Sequence, residues 1–300
     1  MSARSSVSAT PSSRSGVALL VLAGVLWGTG GLAGSLLASR TGLTPVAVAA
    51  YRLLTGGLLI TGYALITGRL TGVPRSRRAL ARIATAGLLL ACFQAAYFAA
   101  IAATSVGLAT LTTMVAVPVL ITAGAACLDR RRPSRRALLS LAVALAGLFL
   151  LIGSPEAGPH RAAGTGLALL AAAGFAALSL DRRAALPGLD RTTTTGLGFI
   201  SGGLLLVPIP LTTGMGIPAR PEAIAAVLFL GLVPTAIAYS SYFLGLRQAG
   251  PGAAQIAVLL EPLTATLLAV LVHGEQLTGR QIAGALLILL STTVREDSTA

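Results

Sequence analysis

Long stretches of uncharged, mostly apolar residues recur along the whole chain, and they restrict its possible fold more than any other feature. One lies between Arg14 and Arg40, and another, residues 83–128, is long enough for two membrane-spanning helices. Charged residues make up only 10% of the chain, against about 25% in ordinary soluble domains. We therefore expect an all-α polytopic membrane protein without a separate soluble domain.

Charged clusters and turn residues divide this apolar sequence into ten predicted transmembrane helices. The chain predicts a turn at residues 104–107, between the third and fourth of them, and a breaker at residues 155–159. The helices are expected near residues 16–37, 44–67, 83–103, 108–128, 137–153, 165–180, 195–211, 223–246, 253–272 and 277–294. An even number of spans places both ends of the chain on the same side of the membrane.

The arginines indicate which side that is. With both termini inside, 17 of the 22 basic residues fall on the inner side, 4 fall on the outer side, and Arg52 lies within a span. Cytoplasmic loops of membrane proteins carry such an excess of basic residues. We therefore expect both termini in the cytoplasm. The abundance of Ala, Gly and Arg without any Lys favours a bacterial source and hence the bacterial inner membrane.

The net charge of +13 does not indicate a nucleic-acid partner, because the arginines cluster in short loops between apolar runs. The partners expected from the sequence are the lipid bilayer and a small-molecule substrate. No phosphate-binding loop is present, so ATP-driven transport is not expected. Neither histidine has a partner at metal-ligand spacing, so the sequence predicts no metal site and no cofactor. The oligomeric state is left open.

The chain contains an internal repeat. Tyr97 precedes Pro118 by 21 residues, and Tyr242 precedes Pro262 by 20 residues. Each half then holds five predicted helices, and because five is odd, the second half must insert upside down. Two inverted five-helix repeats with helix breaks at Pro118 and Pro262 are typical of transporters, whose site lies near the midplane. The expected boundaries are a cytoplasmic tail (1–15), repeat one (16–153), a linker (154–164), repeat two (165–294) and a second cytoplasmic tail (295–300).

Glu261 and Pro262 lie in the middle of an apolar run, residues 253–272. A charge at the centre of a bilayer costs about 2.5–3.5 kcal/mol on insertion scales, so it usually faces a cavity or a partner. Proline has no N–H to donate to the carbonyl of Val258, four residues earlier, and lipid cannot satisfy that carbonyl. The pair therefore predicts a polar pocket inside the membrane.

Arg52 is the second charge predicted near the midplane, contributed by the other repeat. Arg52 and Glu261 either pair with each other or flank one substrate that carries both charges. Purely structural roles are the alternative: Arg52 as a cap for carbonyls, and Glu261 as a protonated group bonded to a neighbouring helix. The cost of placing a charge in lipid is the reason for predicting a substrate-binding role.

Further substrate-binding candidates are Trp27, Gln94, Tyr97 and Tyr242. Trp27 lies too deep in its helix for a tryptophan of the membrane interface, so it forms either a stacking wall or a packing contact. Gln94, Tyr97 and Tyr242 are polar groups inside predicted spans, where they line a pore or bond between helices. Glycines spaced four apart around Trp27 favour close contact between helices.

The chain resembles the EamA type of the drug/metabolite transporter superfamily over nearly its whole length. The segments that carry the resemblance are Leu26-Trp27-Gly28, Tyr51-Arg52-Leu53, Pro118, Leu260-Glu261-Pro262, Gly274-Glu275-Gln276-Leu277-Thr278 and Gly284. The first half departs from the pattern, since Arg131 stands where a Glu is expected and Ser140 stands opposite Gly284. The resemblance implies a ten-helix secondary transporter that exports amino acids, metabolites or drug-like compounds by alternating access.

Two other classes of membrane protein are weighed against a transporter. A polytopic membrane enzyme needs clustered acids or a nucleophile with its base, and the few Asp, Glu and His residues are scattered, mostly in predicted loops. A structural membrane subunit would not need charges at the midplane. The sequence therefore favours a non-enzymatic carrier.

Overall fold

The computed structural model describes residues 14–130, 135–152, 160–181, 186–217, 220–249, 253–274 and 278–293. The regular secondary structure in these ranges is helical, and they contain no β-strand. The helices are α1 (Arg14–Thr41), α2 (Pro45–Ile66), α3 (Arg77–Ala103), α4 (Val106–Asp129), α5 (Arg135–Ile152), α6 (Arg161–Ser179), α7 (Arg191–Leu206), α8 (Pro208–Thr213), α9 (Pro221–Gly231), α10 (Ala238–Ala249), α11 (Ala254–His273) and α12 (Gly279–Thr293).

Seven helical stretches among the described residues are long and apolar enough to cross a membrane. They are residues Arg14–Thr41, Pro45–Ile66, Arg77–Ala103, Val106–Leu128, Arg161–Ser179, Arg191–Thr213 and Pro221–Ala249. Helices α5, α11 and α12 accompany them, and α11 contains the shorter apolar stretch Leu260–Val272. The prediction of an all-helical, multi-pass membrane protein is confirmed.

Polar residues cap the starts of several helices, which explains where these helices begin. Thr44, Ser76, Ser105 and Asp190 each accept a hydrogen bond from a backbone N–H three residues later. Such a bond satisfies one of the donors that the first turn of a helix leaves free. Ser105 therefore starts α4 two residues after α3 ends, at the turn that the sequence predicts.

Glycines bring α1 and α11 into direct contact. A methyl group at Gly24 would lie 2.5 Å from the carbonyl oxygen of Ala257, and one at Gly28 would lie 2.8 Å from that of Glu261. Only a residue without a side chain allows this approach, as the glycine spacing in α1 predicts. Because rising residue numbers in α1 meet rising numbers in α11, the two helices run parallel.

Helices α2 and α7 pack against each other in opposite directions through matched glycines. A methyl group at Gly57 would lie 2.7 Å from the backbone nitrogen of Ile200, and one at Gly203 would lie 2.7 Å from the side chain of Leu54. Numbers rise along α2 as they fall along α7, so the helices are antiparallel. The two contacts are equivalent, because each glycine sits three residues after the residue that the other glycine touches.

The same equivalence extends to the neighbours of α2 and α7. A methyl group at Gly87 in α3 would lie 2.9 Å from the nitrogen of Gly202 in α7, and one at Gly231 in α9 would lie 3.0 Å from the nitrogen of Gly56 in α2. The contact between α3 and α7 is therefore equivalent to the contact between α9 and α2. This glycine match was not predicted, although both α2 and α7 carry the pattern Ser/Thr-Gly-Gly-Leu-Leu.

A π-helical segment, Leu232–Ile237, separates α9 from α10. Pro234 lies inside it and cannot donate a backbone hydrogen bond. The hydroxyl of Thr235 instead donates to the carbonyl of Leu230, five residues earlier, at 2.9 Å. The sequence predicts one helix near 223–246, and the helical stretch Pro221–Ala249 covers it. Within this stretch the proline and the threonine together widen one turn, as π segments often do at functional sites.

The helix breaks predicted at Pro118 and Pro262 are not interruptions. Both prolines lie inside α-helices, α4 and α11, that continue for more than two turns beyond them. Each proline removes one backbone hydrogen bond without ending its helix.

Candidate functional site

A small cavity lies at the middle of the helix bundle and has a mixed polar and aromatic lining. Its volume leaves about 30 Å³ for the centres of water molecules, which is room for one or two waters. The side chains that line it are Trp27, Arg52, Phe93, Tyr97, Met114, Phe175, Tyr239 and Glu261. They come from α1, α2, α3, α4, α6, α10 and α11, so the cavity depends on the packing of both halves of the chain.

The two charged residues of the cavity lie at similar depths. Arg52 and Glu261 are each seven residues past the first residue of their helices, α2 and α11. At 1.5 Å per residue this is roughly 10 Å from the helix ends, near the middle of a span. The structure thus brings both predicted charges to one cavity near the centre of the membrane.

Neutral groups hold the Arg52 side chain, which is only 6% exposed. Its Nε donates to Thr235 Oγ1 at 3.2 Å, its Nη1 to Gln94 Oε1 at 3.3 Å, and its Nη2 to the carbonyl of Pro234 at 3.4 Å. The π segment and α3 therefore supply the acceptors for a guanidinium on α2. These bonds engage three of its five N–H donors, and none of the acceptors carries a compensating negative charge.

The packing around Arg52 fixes its position. A methyl group at Gly30 of α1 would lie 3.0 Å from Nη2, so only a glycine leaves the guanidinium this space. The ring of Phe98 lies on another side, with its centroid 5.9 Å from the guanidinium carbon, within the range of a cation–π contact.

Glu261 lines the cavity, and its carboxylate has no hydrogen-bond or ion-pair partner among the described residues. In the described structure no ion pair joins it to Arg52, and none of the hydrogen bonds of the described residues involves its side chain. The direct Arg52–Glu261 pair, one of the two arrangements expected from the sequence, is therefore not formed. Both side chains line the same cavity, and the other expected arrangement, in which they flank one substrate, stays a prediction.

Trp27 forms the aromatic wall beside Glu261. Its ring lies 5.1 Å from that of Tyr239 in an edge-on contact and 4.9 Å from that of Tyr242. Its indole nitrogen is buried and has no hydrogen-bond partner in the structure. A buried N–H without an acceptor is costly, so this donor is suited to a ligand that supplies one.

Tyr97 closes the opposite side of the cavity. Its hydroxyl shares a 2.7 Å hydrogen bond with Thr110 of α4, and its ring packs against Phe93 and Phe98. A methyl group at Gly31 would lie 2.6 Å from that hydroxyl, so a second glycine of α1 makes room for the site.

Of the six predicted substrate-binding residues, four line the cavity and two lie behind it. Trp27, Arg52, Tyr97 and Glu261 line the cavity. Gln94 lies behind Arg52 as one of its acceptors, and Tyr242 lies behind Trp27 as a packing partner.

The predicted site omits four lining residues: Phe93, Met114, Phe175 and Tyr239. The repeat could have indicated Tyr239, because it follows Gln94 by 145 residues, the same interval that separates Tyr97 from Tyr242. The other three are apolar, and in an apolar sequence such residues give no signal.

The arrangement is suited to binding. It offers one carboxylate, one buried N–H donor and five aromatic faces. A cationic group can be attracted both by the carboxylate and by the faces of the rings. No group of three or more His, Cys, Asp or Glu side chains that could hold a metal ion occurs among the described residues.

Known proteins resemble this chain over almost its whole length. A model of the EamA-like transporter family matches residues 14–153 and 162–294. The uncharacterized transporter YwfM of Bacillus subtilis (strain 168) is 28% identical over 275 residues, which cover 92% of this chain and 91% of the relative.

The uncharacterized inner membrane transporter YicL of Salmonella typhimurium is 27% identical over 286 residues, 93% of this chain and 94% of the relative. A solved crystal structure superposes with a TM-score of 0.66 at 22% identity, covering 95% of this chain and 99% of the other. That likeness shows a shared fold.

Proposed function

Since the chain belongs to the EamA-like transporter family, we propose that it is a secondary transporter that exports a small amine-bearing metabolite. Amino acids and amphiphilic, drug-like amines are the expected cargo. Transport proceeds by alternating access, and the central cavity is the binding site. The observation that carries the proposal is the unpaired carboxylate of Glu261 among five aromatic rings in the middle of a membrane-spanning bundle.

Matched contacts support an arrangement of ten spans in two inverted units. In this arrangement α7 with α8 forms one span, and α9 with α10 forms another. The equivalent glycine contacts of Gly57 and Gly203, in antiparallel helices, are what a two-fold axis between α2 and α7 would produce. The contacts of α1 with α11 and of α4 with α6 are equivalent under the same axis. Inverted units around a midplane site are a recurrent design of secondary transporters.

The cytoplasmic placement of both termini in a bacterial inner membrane is part of the proposal. The excess of arginine in the loops predicted to be inside supports it. Two contacts are consistent with this topology. Arg69, after α2, forms a 3.3 Å ion pair with Asp190, before α7. Ser15, at the start of α1, donates a hydrogen bond to Gln248, at the end of α10.

Glu261 is expected to bind the cationic group of the cargo and to exchange it for a proton. The aromatic rings hold the apolar part, and the indole N–H of Trp27 bonds to an acceptor on the cargo. Arg52 is already bonded to three neutral acceptors, so it positions the walls and repels a second cationic group. The described cavity is too small for a metabolite, so the helices must separate to admit one.

Transport in proteoliposomes tests this function. The purified chain would be reconstituted and assayed with a panel of radiolabelled amino acids and amphiphilic amines, with and without a pH gradient. Wild type is expected to move at least one of them faster with the gradient. Glu261→Gln should slow this transport about tenfold or more and remove its pH dependence, as for a lost charge-assisted contact of about 1.5–3 kcal/mol.

The matched control is Glu296→Gln, the same chemical change near the C-terminus, which should transport like wild type. Transport by Glu261→Gln at the wild-type rate and with the wild-type pH dependence would contradict the assignment of the site. In cells, overexpression should lower accumulation of the cargo and raise tolerance to a toxic analogue. Faster accumulation would instead identify an importer.

A further inference from the structure

A second and larger cavity lies apart from the central one, along a groove between α1, α9 and α11. Its volume is about 640 Å³, within the range of sites for small organic ligands. Apolar side chains make up most of its walls, among them Leu32, Leu36, Phe229 and Leu268, and Thr29 lies at its deep end. None of these residues lines the central cavity.

The groove has the length of one leaflet of a bilayer. Along α1 it extends from Thr29, near the middle of the helix, to Arg40, near its end. Eleven residues of helix span roughly 16 Å, and half of a hydrocarbon core is about 15 Å. Phe229 borders the groove and is 42% exposed, so the groove can be reached sideways from the surface that faces lipid.

Charged residues occur only at the shallow end. Arg40, Arg220 and Glu222 stand there at the mouth of the groove. Among the described residues, none of the three forms an ion pair. Two arginines and one glutamate leave the mouth with a net positive charge at the depth where lipid head groups lie.

We propose that this groove binds an anionic phospholipid from the leaflet that borders Arg40. One acyl chain lies in the apolar groove, and the phosphodiester of the head group lies between Arg40 and Arg220. The assignment rests on the order of the residues along the groove. Apolar residues extend over one leaflet, and cationic residues follow at its surface. A basic pocket between membrane helices is a known way to hold an anionic head group.

A bound lipid would lie where α1 and α11 part. The two helices touch at Gly28 and Thr264, whereas the groove lies between Leu32 and Leu268, further along the same helices. The acyl chain therefore acts as a spacer between the outer halves of α1 and α11. This inference concerns a second site and does not depend on the identity of the cargo.

Native mass spectrometry of the purified chain in detergent tests the site, with phosphatidylglycerol and phosphatidylcholine as probes. Wild type is expected to retain phosphatidylglycerol with higher affinity than phosphatidylcholine. Each arginine at the mouth should contribute about fivefold, so Arg40→Gln with Arg220→Gln should lower the affinity for phosphatidylglycerol about 25-fold. The matched control is Arg77→Gln with Arg78→Gln, which removes the same charge from exposed positions at the start of α3 and should bind like wild type.

A second variant tests the acyl-chain part of the site. Ala226→Phe places a ring in the groove and should weaken both lipids while leaving the arginines in place. Equal affinity for the two lipids in wild type, or equal loss in the two arginine pairs, would overturn the proposal. A dimer that disappears in Ala226→Phe would also overturn it, because a second copy of the chain would then be the occupant.

Discussion

Two elements present hydrogen-bond acceptors to the buried guanidinium of Arg52. Gln94 comes from α3, and Thr235 and the carbonyl of Pro234 come from the π segment. A buried donor that loses its acceptor bears its full desolvation cost. The stability of the bundle should therefore depend on these neutral partners.

We expect Gln94→Leu to lower the free energy of unfolding by about 1–3 kcal/mol, because it leaves Nη1 of Arg52 without its acceptor. Thermal or detergent-induced unfolding of the purified chain measures the change. The matched control is Gln248→Leu, at an exposed site whose side chain accepts a hydrogen bond from Ser15. This change should stay within about 0.5 kcal/mol. Equal losses in the two variants would show that Gln94 does not support Arg52.

The sequence indicates the charged members of the cavity and misses most of its walls. Arg52 and Glu261 are predictable because a charge inside an apolar run is costly and must be compensated. Whether the two charges pair depends on distances between helices, which no local pattern contains. Phe93 and Phe175 were missed, because an aromatic residue in a membrane helix packs against protein or lipid equally well.

At the scale of elements, the antiparallel contact of α2 and α7 joins the two halves of the chain. Because the helices touch at Gly57 and Gly203, any added side chain must push them apart. Helix α2 also carries Arg52, so the geometry of this contact bears on the position of that side chain.

We expect Gly57→Ala to destabilise the chain by about 1–3 kcal/mol, since its methyl group would overlap the backbone of Ile200. Gly62→Ala, in the same helix, is the control, because a methyl group there meets no atom within 4 Å. It should be neutral or stabilising by up to about 1 kcal/mol, given the higher helix propensity of alanine. The same unfolding assay compares them, and a neutral Gly57→Ala would mean that α2 and α7 can separate freely.

Helix boundaries were well predicted where a cap or a charge marks them, and poorly predicted where the backbone changes its hydrogen-bond register. Ser105 gives the turn between α3 and α4 correctly. The π segment around Pro234 was not predicted, and prolines of the same kind at 118 and 262 leave their helices unbroken. A proline signals a missing donor, but the neighbouring helices decide how the backbone adjusts.

For the whole molecule, the orientation in the membrane is the property that the arginines predict most directly. In a background with Cys92→Ala and Cys127→Ala, single cysteines would replace Arg77 and Thr213. An impermeant maleimide applied to intact cells should label the cysteine at 213 and should reach the one at 77 only after permeabilisation. The reverse pattern would invert the proposed topology.

The overall class of fold follows from composition and span length, since only helices with satisfied backbones can cross lipid as single segments. The proposed inverted pairing of the halves would follow from an odd number of spans in each predicted repeat. Which helices touch could not be predicted in the same way. Those contacts depend on glycines whose partners lie more than a hundred residues away, as for Gly57 and Ile200.

Among the residues that the structure describes, Glu261 is the only carboxylate that lines the central cavity, and this has an energetic consequence for the proposed transport cycle. One carboxylate can exchange one proton for one cargo molecule, and when that cargo is a monovalent amine the two half-cycles carry equal charge across the bilayer. The exchange is then electroneutral: the membrane voltage neither drives nor opposes it. Only the proton gradient remains as a driving force, and one pH unit would sustain about a tenfold concentration ratio of the cargo.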